Sequence, residues 1–159
     1  MPDEEIGPCL DFLPGVRGPV PAVIFIHGGF WRNAYSLDHV GHLCAALARA
    51  GAAVWNLEYR RLGDPGGEWA GMSDDIVRGA GHLSTIATRH NLDLKRVIAA
   101  GHSAGGQLAL WLAAQQAVDL RGVVPLAAIS DLRHAYALQM NGGVVGELLG
   151  GSPDRVPQR

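Results

Sequence analysis

The sequence predicts an α/β fold: a mostly parallel sheet with helices on both faces. Three observations carry this. Short apolar runs alternate with stretches whose apolar residues repeat at helical spacing. The runs are near-continuously apolar, as strands buried on both faces are. Glycine pairs punctuate the chain between them, where strand–helix units need tight turns. A chain of 159 residues, 48% hydrophobic and 18% charged, fits a single packed domain.

The elements follow in order. Residues 23–26 form a strand ended by His27-Gly28-Gly29. Ser36 is placed to cap a helix whose apolar positions Val40, Leu43, Cys44 and Leu47 follow i, i+3, i+4, i+7, and Gly51 is placed to end it. Residues 53–57 are a second strand. A glycine-rich loop over 63–71 leads to Ser73 or Asp74 as an N-cap, and Ile76, Ala80, Leu83 and Ala87 make the inner face of the next helix. Residues 97–100 are a third strand, 107–116 a helix carrying Leu108, Trp111 and Leu112, and Val123 to Ile129 a fourth strand. Beyond Asp131 the pattern weakens into helical turns over 132–138 and 144–149.

Composition excludes several classes of function. Thirteen Lys and Arg against fifteen Asp and Glu give a net charge of −2, without the basic face of a nucleic-acid binder. No apolar run approaches the ~18 residues of a membrane span. The start, MPDEEIGP, is acidic where a secretory signal is basic, so a cytoplasmic location is expected. Cys9 and Cys44 have neither the number nor the spacing of a disulfide framework or a zinc site. The 22 glycines are roughly twice the ~7% average and gather at turns.

Two motifs carry chemistry. Gly101-His102-Ser103-Ala104-Gly105 lies between a strand and a helix, the context a G-x-S-x-G nucleophile elbow requires. A serine on so sharp a turn is held in a strained backbone with its hydroxyl pushed out above the sheet, and the helix N-terminus aims N–H groups at a developing oxyanion. His27-Gly28-Gly29-Phe30-Trp31 ends the first strand. An acyl-transfer site needs a second N–H from another loop, and Gly29 or Phe30, rather than Gly28, is placed to complete the pair with Ala104.

With Glu58-Tyr59-Arg60-Arg61, these motifs resemble the α/β-hydrolase superfamily, in the esterase and lipase branch with an HGG-type oxyanion loop. HGGFW, EYRR and GHSAGG together are most similar to kynurenine formamidase-like and feruloyl-esterase-like hydrolases over about residues 10–150. The resemblance implies Ser103 as nucleophile, an oxyanion hole at Gly29, Phe30 and Ala104, and no metal or organic cofactor. Hydrolases of this fold carry their triad in the order Ser, acid, His, on loops after further strands. After Ser103 the sequence runs only to Arg159, with one clear strand. Residues 1–159 are therefore expected to be the N-terminal portion of a single α/β-hydrolase domain, a serine hydrolase of small esters or amides whose acid and histidine are missing. The competing expectation is a non-catalytic remnant or interaction module that needs a partner segment.

Within the chain, Asp131 and His134 have the required order, but so close together they suit a cap and an exposed histidine better. His102 should point away from the Ser103 hydroxyl, and His27 should hydrogen-bond within the oxyanion loop. His39, His42, His82 and His90 fall on helices or their ends. Phe30, Trp31 and Trp69 line an acyl pocket or pack in the core. Arg60 and Arg61 are expected to pair with Glu58 or Asp75, the alternative being contact with an acidic substrate. The strand from Val123 to Ile129 should expose an apolar edge, with Pro125 its only gatekeeper, inviting self-association or a partner chain.

Overall fold

The computed structural model describes residues 9–11 and 18–155. The acidic start (1–8), the side chain of Cys9 and residues 156–159 lie outside the described residues. The sheet has five strands in the order β1-β3-β2-β4-β5. They are β1 (Cys9–Asp11), β2 (Val20–Ile26), β3 (Ala53–Leu57), β4 (Leu92–His102) and β5 (Gly122–Leu126). The last four run parallel, as expected, and β1 is an antiparallel edge strand on β3 that the sequence pattern did not reveal.

Parallel strands need crossovers, and these supply the two covering layers. A 3₁₀ turn (Leu37–Val40) and α1 (Gly41–Arg49) connect β2 to β3. They cover one face, where Val40, Cys44 and Ala48 pack on Val23, Phe25, Val54 and Ala100. α2 (Trp69–His90) and α3 (Ala104–Gln115) cover the other, where Ile76, Leu83, Leu108 and Leu112 pack on Ile24, Ile26, Trp55 and Ala99. Successive β2 residues point to opposite faces, so both sides of an unbroken apolar strand are used. α4 (Leu132–Ala137) and α5 (Met140–Leu149) follow β5.

Several boundaries differ from expectation. The helix of residues 69–90 starts well before Ser73: its N-cap is Glu68, Ser73 Oγ donates to Ala70 O inside the helix, and Asp74 faces Arg78. Burial of Trp69 and Met72 extends the apolar face upstream of any capping signal. Ser36 does cap, but the 3₁₀ turn, and Gly51 ends α1 at φ +98. The third helix begins at Ala104, three residues early, because it starts directly from the turn at Ser103. β4 extends to both sides of residues 97–100. β5 stops at Leu126 instead of Ile129: Ala127 has φ +45, and the Ile129 N–H turns back to Ser103 O. In α5, Asn141, Gly142 and Gly143 are left-handed, so regular helix begins at Val144, near the expected start.

β5 is an edge strand among the described residues, with Val124 42% exposed. Pro125 is compatible with that position, since an edge strand can spare a ladder donor.

The inner face of α2 anchors the core, so Leu83→Ala should lower the unfolding free energy by about 2–5 kcal/mol. Arg78→Ala, on the exposed side, should stay within about 0.5 kcal/mol. Urea unfolding monitored by circular dichroism checks both.

Candidate active site

Register brings the site together. Ile26 of β2 lies opposite Leu57 of β3 and Gly101 of β4, so His27, Glu58 and Ser103 emerge at the same rim of the sheet. Ser103 occupies the turn with φ 54 and ψ −117, a conformation that L-residues hold only when their surroundings impose it. Its N–H donates to Leu126 O (2.9 Å), and its carbonyl accepts from Gln107 N (3.2 Å) in the first turn of α3.

The flanking glycines are required by contact. A Cβ at Gly105 would lie 2.1 Å from Ile26 O, and one at Gly101 would lie 2.2 Å from Gly105 O. Nothing larger than hydrogen fits where α3 passes over the strand ends.

The HGGFW segment lies beside this turn: a Cβ at Gly28 would stand 3.3 Å from Ser103 Cβ. Gly29 (φ 119), Phe30 (φ 54) and Trp31 (φ 57) are left-handed in succession, which is strained for Phe and Trp. His27 is fully buried and explains how the bend is held. Its Nδ1–H donates to Gly28 O (2.8 Å), and its Nε2 lies 2.9 Å from Glu58 Oε1. In a planar trans peptide, C=O and N–H point in opposite directions. Anchoring the Gly28 carbonyl to His27 therefore turns the Gly29 N–H away from the ring. Among the described residues, the N–H groups of Gly29, Phe30 and Ala104 make no hydrogen bond.

Glu58 is the hub below the loop. Oε1 accepts from Tyr59 N and faces Arg61 Nη1 at 3.2 Å, and Oε2 accepts from Leu37 N. Burial by itself would raise the Glu58 carboxyl. The His27 hydrogen bond, the Leu37 and Tyr59 N–H groups and the charge of His27 outweigh it and hold the carboxyl below its ordinary 4.5. Tyr59 stacks on His27 at 4.5 Å and donates its hydroxyl to His27 O (2.9 Å). Burial first, then the Glu58 charge, pushes that phenol upward against the opposing effect of Arg61, so it remains a donor.

The arginines are structural here. Arg60 grips Asp75 through Nε and Nη2 at 2.8 Å each, and Arg61 bridges Glu58, Asp64 and the Tyr35 carbonyl. Trp31 and Trp69 are buried in the core, Trp69 edge-on to Trp111, and Phe30 packs partly buried against the same cluster. Two cavities, of about 280 and 410 Å³, lie around the C-terminal end of α3, and neither is lined by Ser103, Gly29, Phe30 or Ala104.

Gly28, which precedes Gly29 and Phe30, lies beside the turn of Ser103 and Ala104. Among the described residues no hydrogen bond joins the Ser103 hydroxyl to a histidine. Asp131 caps α4 by accepting from the His134 backbone N–H (2.9 Å), and the His134 side chain is exposed. His102 is exposed, His82 stacks on Trp55, and His39 meets Tyr35 edge-on. Glu58 as partner of His27 was not foreseen: its motif was visible in EYRR, but the pairing depends on sheet register.

Residues 12–139 match the BD-FAE family model. The chain belongs to the BD-FAE family, in the esterase branch of the α/β-hydrolases. It is 30% identical over 146 residues to kynurenine formamidase of Danio rerio, covering 87% of this chain and 47% of that protein. It is also 30% identical to neutral cholesterol ester hydrolase 1 of Pongo abelii, covering 68% of this chain and 28% of that one. Esterase B from Lactobacillus rhamnosis superposes with a TM-score of 0.78 at 27% identity, covering 92% of this chain and 52% of that structure. This BD-FAE chain thus spans about half the length of these relatives or less. Among its described residues no helix is long and apolar enough to cross a membrane.

The Glu58 pair has a pH signature. An ionised Glu58 stabilises the fold above the ordinary carboxyl range, and that contribution is lost as pH falls through its lowered folded value. Glu58→Gln should cost about 1–3 kcal/mol near neutral pH. Its difference from wild type should shrink as pH falls below 4.5, followed by urea unfolding across a pH series.

Proposed function

We propose that this chain carries the nucleophile and oxyanion side of a serine hydrolase that cleaves a small carboxylic ester or amide through an acyl-enzyme on Ser103. The observation that supports this best is a serine held at φ 54 beside Gly28, with the N–H groups of Gly29, Phe30 and Ala104 used by no described residue. Ser103 Oγ attacks the carbonyl carbon. The resulting oxyanion takes hydrogen bonds from Ala104 N–H and from Gly29 or Phe30 N–H. Collapse expels the alcohol or amine, and water then cleaves the acyl–serine bond. Relatives named for formamide and cholesterol-ester hydrolysis agree with this class of chemistry.

The Ser103 proton must pass to a base and from it to the departing alcohol or amine, and we propose that this base comes from a further segment or partner chain. The edge of β5, with Val124 and Leu126 exposed, is the proposed place of self-association or partner pairing. The second reading, a non-catalytic interaction module, draws on the same edge and on the absence of a base at Ser103 among the described residues.

The test is turnover of 4-nitrophenyl acetate by the protein isolated from its natural host, beside its Ser103→Ala form. Turnover lost on substitution supports the hydrolase, and turnover indifferent to it favours the interaction module. The 159-residue chain by itself should show only residual turnover, because among the described residues no histidine is hydrogen-bonded to the serine hydroxyl to take its proton.

Gly29→Val should lower kcat of the active form by roughly 10²–10³, the effect of losing one oxyanion donor, with a smaller change in KM. A Cβ there would meet the Tyr35 ring at 2.6 Å, in a backbone at φ +119. Unchanged kcat would remove this loop from the oxyanion site.

At micromolar concentration the chain should self-associate in light scattering, and Val124→Lys should reduce it. A stable wild-type monomer would count against pairing through β5.

A further inference from the structure

The two sides of the proposed oxyanion site come from different elements, Gly29 and Phe30 from the loop after β2 and Ala104 from the start of α3. Donors must lie about 2.7–3.1 Å from one oxygen position to act together, so the spacing between loop and helix matters. Among the described residues no backbone hydrogen bond joins residues 28–31 to residues 104–107. One side-chain hydrogen bond spans the gap: Trp31 Nε1–H donates to Gln107 Oε1 at 3.2 Å.

Both ends of this bond are fixed. Gln107 closes the first turn of α3 onto Ser103 O, and the Trp31 carbonyl accepts from Leu62 N at 2.8 Å. Trp31 is 0% exposed and Gln107 7%, so the bond lies where water competes little. The indole N–H can only donate, which sets the Gln107 amide with its oxygen toward the loop. An apolar pair would fill the same space without desolvating an N–H and an amide. What the polar pair adds is a defined distance and direction.

We propose that Trp31 and Gln107 are positioning residues that set the separation of the two halves of the oxyanion site, a role in catalysis that rests on the hydrolase reading above. Neither touches the reacting atoms. They act through Phe30 and Gly29 on one side and through Ala104 on the other.

The experiment combines amide hydrogen exchange with kinetics on the full chain. Gln107→Met removes the acceptor at similar volume, Trp31→Phe removes the donor, and Gln107→Glu keeps an acceptor oxygen. Loop closure is read at Arg32, whose N–H donates to Gly29 O, and at Leu62, whose N–H donates to Trp31 O. Exchange at both should quicken at least tenfold in Gln107→Met and in Trp31→Phe, and no further in the double variant. The amides of Ile24 and Ala99 in the sheet should keep their rates, and Gln107→Glu, which keeps an acceptor, should quicken loop exchange less than Gln107→Met. Unchanged loop exchange, additive effects, or a Glu variant that behaves like Met would overturn the clamp. Should Trp31→Phe fail to fold, Gln107→Met against Gln107→Glu decides alone.

In a form with Ser103-dependent turnover, Gln107→Met should lower kcat about tenfold at constant KM. An unchanged kcat with a loosened loop would overturn the positioning role. Absence of Ser103-dependent turnover in the wild type would instead sink the hydrolase reading, and the exchange result would still decide the clamp.

Discussion

The close passage of the first turn of α3 over the ends of β2 and β4 is the constraint on which the site depends. With Gly105 packed against the carbonyls of Ile26 and His27, the helix can begin immediately after β4. The turn between them is made at Ser103, whose φ is 54. The same contact sets α3 against the central strand, where Leu108 and Leu112 are buried. Strain at the serine is thus maintained by core packing some distance from it, as expected for a conformation that persists only when its surroundings over-determine it.

A second strained segment lies alongside and is held differently. Gly29, Phe30 and Trp31 gain little from regular secondary structure, and buried polar groups take its place. His27 fixes the Gly28 carbonyl, Glu58 fixes His27, and the Leu37, Tyr59 and Arg61 donors fix Glu58. Such a network is costly if any member is unpaired and rigid when all are satisfied. The loop therefore presents its free N–H groups in one geometry, and electrostatic stabilisation of an oxyanion needs that kind of preorganisation. The Trp31–Gln107 bond then ties this network to the helix that carries the serine.

Beside the Ser103 turn, β5 is an edge strand among the described residues. β5 pairs with β4 on one side, while Val124 and Leu126 are exposed. Relatives about twice as long share this half of their structure at a TM-score of 0.78. Ser103, Ala104 and the loop of Gly29 and Phe30 are carried by the ends of β2 and β4 and the start of α3, and β5 joins them through the Leu126 carbonyl, which accepts from Ser103 N–H.

Local rules made the strands 53–57 and the centre of β4, the inner face of α2 and the glycine–serine turn legible in the sequence, because each is encoded by residues adjacent in the chain. Periodicity gives buried faces, and glycine at a strand end gives a turn. The same rules misplaced the start of α2 at Ser73 or Asp74, overlooked β1 and carried β5 on to Ile129. Those boundaries are decided by burial of Trp69, by pairing with β3 and by the return of Ile129 to Ser103. Ser103, Gly29, Phe30 and Ala104 could be named from motifs. Their convergence, the His27–Glu58 pair and the Trp31–Gln107 bond could not, because these partners stand 31 and 76 residues apart. Sequence determined which residues had the chemistry. Only the tertiary structure decided which of them meet, since sheet register and helix packing alone bring such distant residues within hydrogen-bonding distance.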